Sequence, residues 1–260
     1  MEDYDDLTPS DDAIDAQLDA FIAAGDQTLT ISGGEPTLLR RRLLRLVERA
    51  QAGGIRFIEV QTNAVLIDER YAAEMRDAGV TSAFVSLLSH VPDLHDELAG
   101  MKGAFPKCVR GVKALLDVGI RVALNPVTAR STQHLIEGYV DYVATELPGV
   151  SSISLSAVQP HGRARQNLDL MPDYDALGGQ VLQAQAAAER HNIQLLNPYC
   201  GLPLCVGWTD AIENSVEAIE ARASHTAQGL QNRGNKRHGA ECVDCGLRTQ
   251  CGGAWHAYWD

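Results

Sequence analysis

The residues with the clearest chemical potential are five cysteines that all lie after residue 199. Cys242, Cys245 and Cys251 form a Cys-x2-Cys-x5-Cys motif followed by two glycines, and Cys200 and Cys205 lie upstream of it. Three clustered thiolates with one more distant thiolate are typical of a four-ligand metal site. Zinc and a 4Fe–4S cluster both bind four cysteines, so the spacing leaves both open, including a zinc ribbon that only stabilises the tail.

A second candidate site is the segment Ser32-Gly33-Gly34-Glu35-Pro36, which follows a short β-branched run. Two adjacent glycines permit positive φ angles and a close approach of the backbone to a ligand. The segment lacks the lysine of a phosphate-binding loop, and the carboxylate of Glu35 would repel a phosphate. An ammonium ligand, which needs hydrogen-bond acceptors, suits the segment; the alternative is a tight turn with a solvated glutamate.

Small hydrogen-bonding side chains also follow the later predicted strands. Asn63, Ser86 and Asn125 each follow one of them, and the 159–163 segment, which starts at Gln159, follows another. Alone, each is an ordinary polar loop residue. Together they predict a ligand site at one edge of the fold. The histidines show no H-E-x-x-H spacing, and no Ser-His-Asp order is recognisable.

Short apolar runs alternate with helical patterns along most of the chain. The runs cover residues 28–32, 57–61, 83–87, 121–125, 152–157 and 193–196. Helical patterns cover residues 69–78, 105–117, 133–145 and 174–190. A further helix is indicated by an apolar stripe at Leu39, Leu43, Leu46, Val47 and Ala50.

The alternation predicts an α/β fold whose parallel sheet is either doubly wound or rolled into a full or partial barrel. In both architectures ligands bind at the carboxyl ends of the strands. After about residue 192 the composition shifts toward Gly, Cys, Asn and Trp, and a helical pattern returns only at 211–221. We therefore predict a main domain at 1–191 and a small Cys-rich subdomain at 192–260.

Three further expectations concern individual residues. Thr8 is expected to cap the first helix, with Pro9 at its first position. The arginines at positions 40, 41, 42, 45 and 49 are interpreted as a solvated helix face. Cys108 is interpreted as a buried small apolar residue without a metal role.

Composition excludes several functional classes. The 260 residues carry a net charge of −12, which argues against nucleic-acid binding through bulk electrostatics. No apolar run approaches the roughly 20 residues that span a bilayer. The acidic start Met1-Glu2-Asp3 is not the basic head of a signal peptide. We therefore expect a cytoplasmic chain with reduced thiols and no nucleic-acid or membrane partner.

The conjunction of Ser32-Gly33-Gly34-Glu35-Pro36, the βα repeat and the late cysteine motif resembles the radical SAM superfamily. More narrowly, it resembles members with a SPASM or twitch C-terminal extension, and 197–205 with 242–253 are similar to peptide maturases of the His-Xaa-Ser system. The resemblance implies a partial (βα)6 TIM-like barrel, here lacking its first strand. It implies radical hydrogen abstraction with S-adenosylmethionine (SAM) and iron–sulfur clusters. The expected partners are a peptide or small protein substrate and a reductant such as flavodoxin or ferredoxin.

The resemblance also assigns candidate residues to these cofactors. It implies that Gly33, Gly34 and Glu35 bind the SAM ammonium group, with Ser86 at its ribose or carboxylate. Further SAM-binding candidates are Asn63, Asn125 and Gln159. The implied ligands of one auxiliary 4Fe–4S cluster are Cys205, Cys242, Cys245 and Cys251, with Cys200 as the substitute for Cys205.

Two departures from the family pattern shape the expected activity. The cluster that binds SAM needs a Cys-x3-Cys-x2-Cys loop, and the printed sequence contains none. Trp255 stands where a SPASM extension usually has a further cysteine, which favours a single, twitch-like auxiliary cluster. We therefore expect the chain as printed to be inactive alone, as the shortened form of an enzyme. The alternatives are a degenerate peptide-binding relative and a zinc-stabilised α/β protein.

Overall fold

A computed structural model describes residues 9–160, 162–219 and 236–259. The main helices are α1 (Asp11–Ala24), α2 (Arg40–Ala52), α3 (Glu69–Ala78), α4 (Pro92–Ala99), α5 (Ala104–Asp117), α6 (Ile136–Glu146) and α7 (Tyr174–His191). The strands are β1 (Thr28–Ile31), β2 (Phe57–Thr62), β3 (Ser82–Val85), β4 (Arg121–Leu124), β5 (Val127–Thr128), β6 (Ser152–Ser154), β7 (Ser156–Ala157), β8 (Gln194–Leu196), β9 (Lys236–Arg237) and β10 (Ala254–Trp255).

One parallel sheet organises the molecule. Its six strands are hydrogen-bonded in the order β1-β2-β3-β4-β6-β8. Helices connect successive strands, as parallel pairing requires, so all six carboxyl ends lie at the same edge. This confirms the predicted α/β class and is consistent with a partial TIM-like barrel. Two small pairs, β5 with β7 and β9 with β10, lie outside this sheet.

The predicted elements match the observed ones with local exceptions. Helices at 69–78, 105–117, 133–145 and 174–190 are confirmed to within three residues as α3, α5, α6 and α7. The single strand predicted at 152–157 is wrong, because Leu155 separates β6 from β7. The helix predicted at 211–221 is wrong at its start, where Ile212–Asn214 form a 3-10 turn, and its last two residues lie outside the described residues.

The first helix begins later than predicted. Ser10, not Thr8, is its cap, since the Ser10 hydroxyl oxygen accepts the backbone N–H of Ala13 at 3.2 Å. Pro9 therefore precedes the helix, and Thr8 lies outside the described residues. Asp11 and Asp12 occupy the first turn, where the helix dipole favours negative charge.

The core lies between the sheet and its covering helices. The predicted stripe of α2 is confirmed for Leu43, Val47 and Ala50, which are buried, while Leu46 packs against them partly exposed. The stripe was wrong at Leu39, which is 48% exposed because it belongs to a 3-10 turn before α2. In the described part of the chain, no helix has the length and apolar character that a membrane crossing requires.

The main sheet extends across the predicted domain boundary. β8 pairs with β6 in the main sheet, although the predicted boundary assigns its residues to the C-terminal subdomain. Beyond β8, Asn197 bridges to Ser215, and its side-chain oxygen and nitrogen both bond to the backbone of Leu202. The division into 1–191 and 192–260 stays a prediction.

The arginine face of α2 is not simply solvated, which corrects the sequence interpretation. Arg42, Arg45 and Arg49 pair with Asp11, Asp15 and Asp19 of α1 at N···O distances of 2.6–2.9 Å. Arg40 pairs with Glu74 of α3 at 2.6 Å. Arg41 stays exposed and makes no ion pair within the described residues. A row of charges therefore joins α1 to α2, and Arg45 lowers the pKa of Asp15.

We predict that Arg45→Gln lowers the midpoint of thermal unfolding at low ionic strength, whereas Arg41→Gln leaves it unchanged. The difference should shrink in about 1 M salt, where the Debye length falls to about 3 Å. It should also disappear as the pH falls through the lowered pKa of Asp15, because a protonated carboxyl no longer attracts the guanidinium. Equal effects of the two substitutions at every salt concentration would contradict the prediction.

Candidate functional site

The loop after β1 presents an open backbone surface at the carboxyl edge of the sheet. Gly33 and Gly34 have φ angles of +105° and +54°, which side-chain-bearing residues rarely adopt. A Cβ atom placed on either glycine would meet nothing within 4 Å. Both glycines are exposed, so the peptide groups of this turn are accessible to a ligand.

The carboxylate of Glu35 joins the ends of β1 and β2. Its Oε1 accepts the N–H of Thr37 at 3.0 Å, the hydroxyl of Thr37 at 2.5 Å and the hydroxyl of Thr62 at 2.7 Å. Its Oε2 accepts the backbone N–H of Asn63 at 2.8 Å. Three donors saturate Oε1, whereas Oε2 keeps capacity for one more donor. The interpretation of Glu35 as a solvated turn residue is therefore wrong.

The turn after β2 is held in an unusual conformation next to this carboxylate. The Asn63 side-chain oxygen accepts the N–H of Val65 at 3.0 Å, and Ala64 has a positive φ of 56°. Gly111 of α5 lies so close that a Cβ there would collide with the Ala64 carbonyl. Asn63 itself is exposed, so its amide group faces the same edge of the sheet as Gly33 and Gly34.

The remaining candidate side chains end strands further along the sheet. Ser86 is half-buried, and its hydroxyl has no hydrogen-bond partner within the described residues, as is also true of the Gln159 side chain. Asn125 Oδ1 accepts the hydroxyl of Ser156 at 2.6 Å, and that hydroxyl lies 3.0 Å from the Cys200 sulfur. Cys200 therefore lies at the carboxyl edge of the sheet.

Cys205 lies within electrostatic range of three other late cysteines. Burial raises the pKa of the Cys205 thiol, and negative charge on Cys251, Cys242 and Cys245 raises it further. Burial also raises the pKa of Cys251. The backbone N–H groups of Leu204 and Gly253 act in the opposite direction, because their hydrogen bonds stabilise the thiolate and lower this pKa. We call Cys205, Cys242, Cys245 and Cys251 the cysteine group.

The other cysteine features follow the sequence expectations. Cys108 is fully buried in α5, and burial raises the pKa of its thiol to about 12, which confirms its interpretation as a small buried residue. Within the described residues, no set of three His, Cys, Asp or Glu side chains is already placed to hold a single metal ion.

Buried polar residues that the sequence did not single out surround the cysteine group. Lys236 is 4% exposed, and its ammonium donates to the Tyr199 carbonyl at 2.5 Å between the Tyr199 and Trp255 rings. Burial lowers the pKa of Lys236. The negative charges of Glu217 and of the Cys251 and Cys200 thiolates raise this pKa in part. Only its position six residues before Cys242 could have drawn attention to Lys236.

Two buried oxygen atoms near the cysteine group have no hydrogen-bond partner within the described residues. They are Glu217 Oε2 and the Tyr174 hydroxyl oxygen, which lie within electrostatic range of Cys251 and Cys205 respectively. Unsatisfied buried polar atoms are uncommon and call for an explanation such as an additional ligand. Four thiols, nearby backbone N–H donors and the Tyr174 hydroxyl fit a cysteine-ligated metal centre, whereas the Glu217 carboxylate disfavours the Cys251 thiolate. The printed sequence contains no Cys-x3-Cys-x2-Cys spacing.

Comparison with known families identifies the fold. A family model described as the radical SAM superfamily matches residues 3–138. The chain belongs to the radical SAM superfamily. Members of this superfamily use SAM together with 4Fe–4S clusters, which agrees with the open loop at Gly33 and Gly34 and with the cysteine group.

Curated relatives of this radical SAM chain carry different activities in their names. It is 28% identical over 174 residues to an AdoMet-dependent heme synthase of Oleidesulfovibrio alaskensis, covering 67% of this chain and 41% of the relative. It is 25% identical over 197 residues to a probable GTP 3′,8-cyclase of Sulfolobus acidocaldarius, covering 70% and 61%. The chain therefore spans only two fifths to three fifths of the length of these relatives.

Solved structures support the same fold. HydG, a maturase of the FeFe-hydrogenase, matches with a TM-score of 0.58 at 10% identity, over 76% of this chain and 48% of HydG. Streptococcus suis SuiB bound to S-adenosylmethionine matches with a TM-score of 0.56 at 18% identity, over 72% and 42%. At these identities the likeness concerns the fold alone.

We predict that Glu35→Gln destabilises the chain by about 1–3 kcal/mol. The amide nitrogen of glutamine is a donor, and it would face a backbone N–H or a hydroxyl group that donates to the carboxylate in the wild-type chain. Urea unfolding followed by circular dichroism measures the effect. The control is Glu97→Gln on α4, since Glu97 is exposed and its side chain has no partner within the described residues. A Glu35→Gln midpoint equal to that of the control would contradict the assignment of Glu35 as the link between β1 and β2.

Proposed function

We propose that this chain forms the SAM-binding barrel and the auxiliary iron–sulfur region of a radical SAM enzyme. The observation that carries the proposal is the open Gly33-Gly34 turn, which Glu35 fixes against the end of β2. The SAM ammonium group needs acceptors, and this turn offers accessible carbonyl groups together with the remaining acceptor capacity of Glu35 Oε2. When bound, SAM and its reducing cluster supply the radical that abstracts hydrogen from the substrate.

The other strand ends supply the remaining groups of the proposed SAM site. The unpartnered Ser86 hydroxyl is the candidate for the SAM ribose or carboxylate. Asn63 and Gln159 have amide groups that make no side-chain N–H bond within the described residues, so they are further candidates. Asn125 is a weaker candidate, because its Oδ1 already accepts the Ser156 hydroxyl.

The proposed auxiliary centre is one 4Fe–4S cluster held by Cys205, Cys242, Cys245 and Cys251. The electrostatic range of Cys205 to the other three supports this set, and the contact of Cys200 with Ser156 favours Cys205 over Cys200 as the fourth ligand. Backbone N–H groups at Cys251 would stabilise its thiolate for metal binding.

We predict that the anaerobically reconstituted chain binds about four irons and four sulfides, as one such cluster requires. Cys205→Ser should lower this content strongly, because it removes a ligand. Cys200→Ser is the matched control and should leave the iron content unchanged. Iron and sulfide assays, together with metal analysis of the purified protein, measure this content. Zinc alone in the wild-type chain, or iron loss only in Cys200→Ser, would overturn the assignment.

We further predict that the reconstituted chain as printed binds SAM but forms no 5′-deoxyadenosine under strong reductant, because the printed sequence lacks the ligands of the SAM cluster. Calorimetric titration measures binding and chromatography measures cleavage. A version extended upstream to include an in-frame Cys-x3-Cys-x2-Cys loop should gain cleavage. Cleavage by the printed chain would contradict the prediction, and absence of such a loop in the gene would favour a degenerate binding protein.

The proposed substrate class is a peptide or small protein, with flavodoxin or ferredoxin as reductant. The similarity of 197–205 and 242–253 to peptide maturases supports this choice. The curated relatives named as a heme synthase and a GTP cyclase point to other substrates. A small precursor-peptide gene beside this one would support the peptide class, and a neighbouring set of heme or molybdopterin genes would contradict it.

A further inference from the structure

The hydroxyl of Tyr174 is a buried donor without an acceptor. Tyr174 is the first residue of α7 and is 6% exposed. Its hydroxyl oxygen has no hydrogen-bond partner within the described residues. A buried hydroxyl that leaves water and gains no partner is unfavourable, so its position calls for a partner that is present only in the working protein.

The packing of α7 places this residue on the helix face that contacts the loop of Cys205. Residues at i, i+4, i+7 and i+11 share a helix face, which here holds Tyr174, Gly178, Val181 and Gln185. This face lies against the loop around Gly207. A Cβ on Gly207 would come within 2.7 Å of the Gly178 carbonyl oxygen, and Gln185 Nε2 donates to the Gly207 carbonyl at 3.0 Å.

Cys205 lies in the same loop, two residues before Gly207. It lines a cavity of about 200 Å³ together with Gly178 and Gly207. Tyr174 lies one helical turn before Gly178 on the same face. Besides burial, Tyr258 and Cys205 are the described groups that raise the pKa of the Tyr174 hydroxyl, so Cys205 is within its electrostatic range.

A second aromatic ring holds Tyr174 in this orientation. The ring of Tyr258 stacks on that of Tyr174 with centroids 3.9 Å apart and planes 18° apart. Tyr258 in turn meets Trp259 edge-on at 5.8 Å. Because stacked rings resist rotation out of plane, the Tyr174 hydroxyl keeps its direction.

We infer that Tyr174 is a positioning residue whose hydroxyl donates a hydrogen bond to a sulfur atom of the centre bound by Cys205. This inference rests on the proposed auxiliary cluster. A donor at a cluster sulfur stabilises the reduced form, which carries one more negative charge, and so raises the reduction potential. Tyr174 thereby sets how readily the centre accepts an electron.

The test is Tyr174→Phe in the reconstituted full chain, with the cluster potential measured by a redox titration followed by electron paramagnetic resonance. We expect the ratio of reduced to oxidised cluster to fall by about three- to ten-fold at a fixed potential. A ten-fold change is a 59 mV lower midpoint for a one-electron couple. The replacement keeps the ring and its stacking on Tyr258, so the helix packing is retained.

The matched control is Tyr139→Phe on α6. The Tyr139 hydroxyl is equally buried but donates to the Leu87 carbonyl at 2.8 Å. Without metal, Tyr139→Phe should lower the urea midpoint, whereas Tyr174→Phe should keep or raise it because no hydrogen bond is lost. With the cluster bound, only Tyr174→Phe should change the potential.

The outcomes separate this inference from the proposed function. If the wild-type chain binds four irons but Tyr174→Phe has an unchanged potential, the role of Tyr174 is overturned. The proposed auxiliary cluster then still stands. A lower urea midpoint of metal-free Tyr174→Phe also overturns it, because the hydroxyl would then have a partner within the protein. A wild-type chain that binds no iron overturns both.

Discussion

The carboxylate of Glu35 is the interaction on which the candidate site depends. It accepts hydrogen bonds from the turn that follows it and from the end of β2, so one side chain fixes two neighbouring strand ends. Parallel strands form no hairpin between them, and besides the sheet ladder the Ser32 hydroxyl donates to Gln61 Oε1 at 2.9 Å across the same two strand ends. With Glu35 in place, the two glycines before it are left facing open space. The exposed Gly33-Gly34 turn is therefore a consequence of the hydrogen bonds that Glu35 makes beside it.

Sequence reasoning succeeded where chemistry and spacing are local. The spacing of Cys242, Cys245 and Cys251 and the run of Gly33, Gly34 and Glu35 were visible without structure, and so was the βα alternation. Each depends on residues that are close in sequence, for which periodicity and glycine conformation are informative. The choice of Cys205 over Cys200, which spacing left open, rests on the place of Cys200 beside Ser156, 44 residues away.

The misses share a physical cause. The arginines of α2 are interpreted from sequence as solvated because their aspartate partners lie about 30 residues earlier in the chain. Those partners belong to a helix whose position only the fold determines. Lys236 and Tyr174 carry no motif, and their burial against the cysteine group arises from tertiary packing. Leu39 fits the helical period of α2, but Pro36 starts a 3-10 turn that changes its direction. Long-range contacts override local pattern in each case.

The contacts of Lys236 have a consequence for how a metal centre would assemble. Its ammonium bonds to the Tyr199 carbonyl, His238 bonds to the Cys251 carbonyl at 2.9 Å, and β9 pairs with β10. These contacts are made by protein atoms alone, so they hold the strand before the motif and the loop near Cys205 together without relying on sulfur–metal bonds. Zinc fingers, in contrast, draw their folding energy from the metal itself. Part of the conformational entropy of this region has therefore been lost before a metal binds.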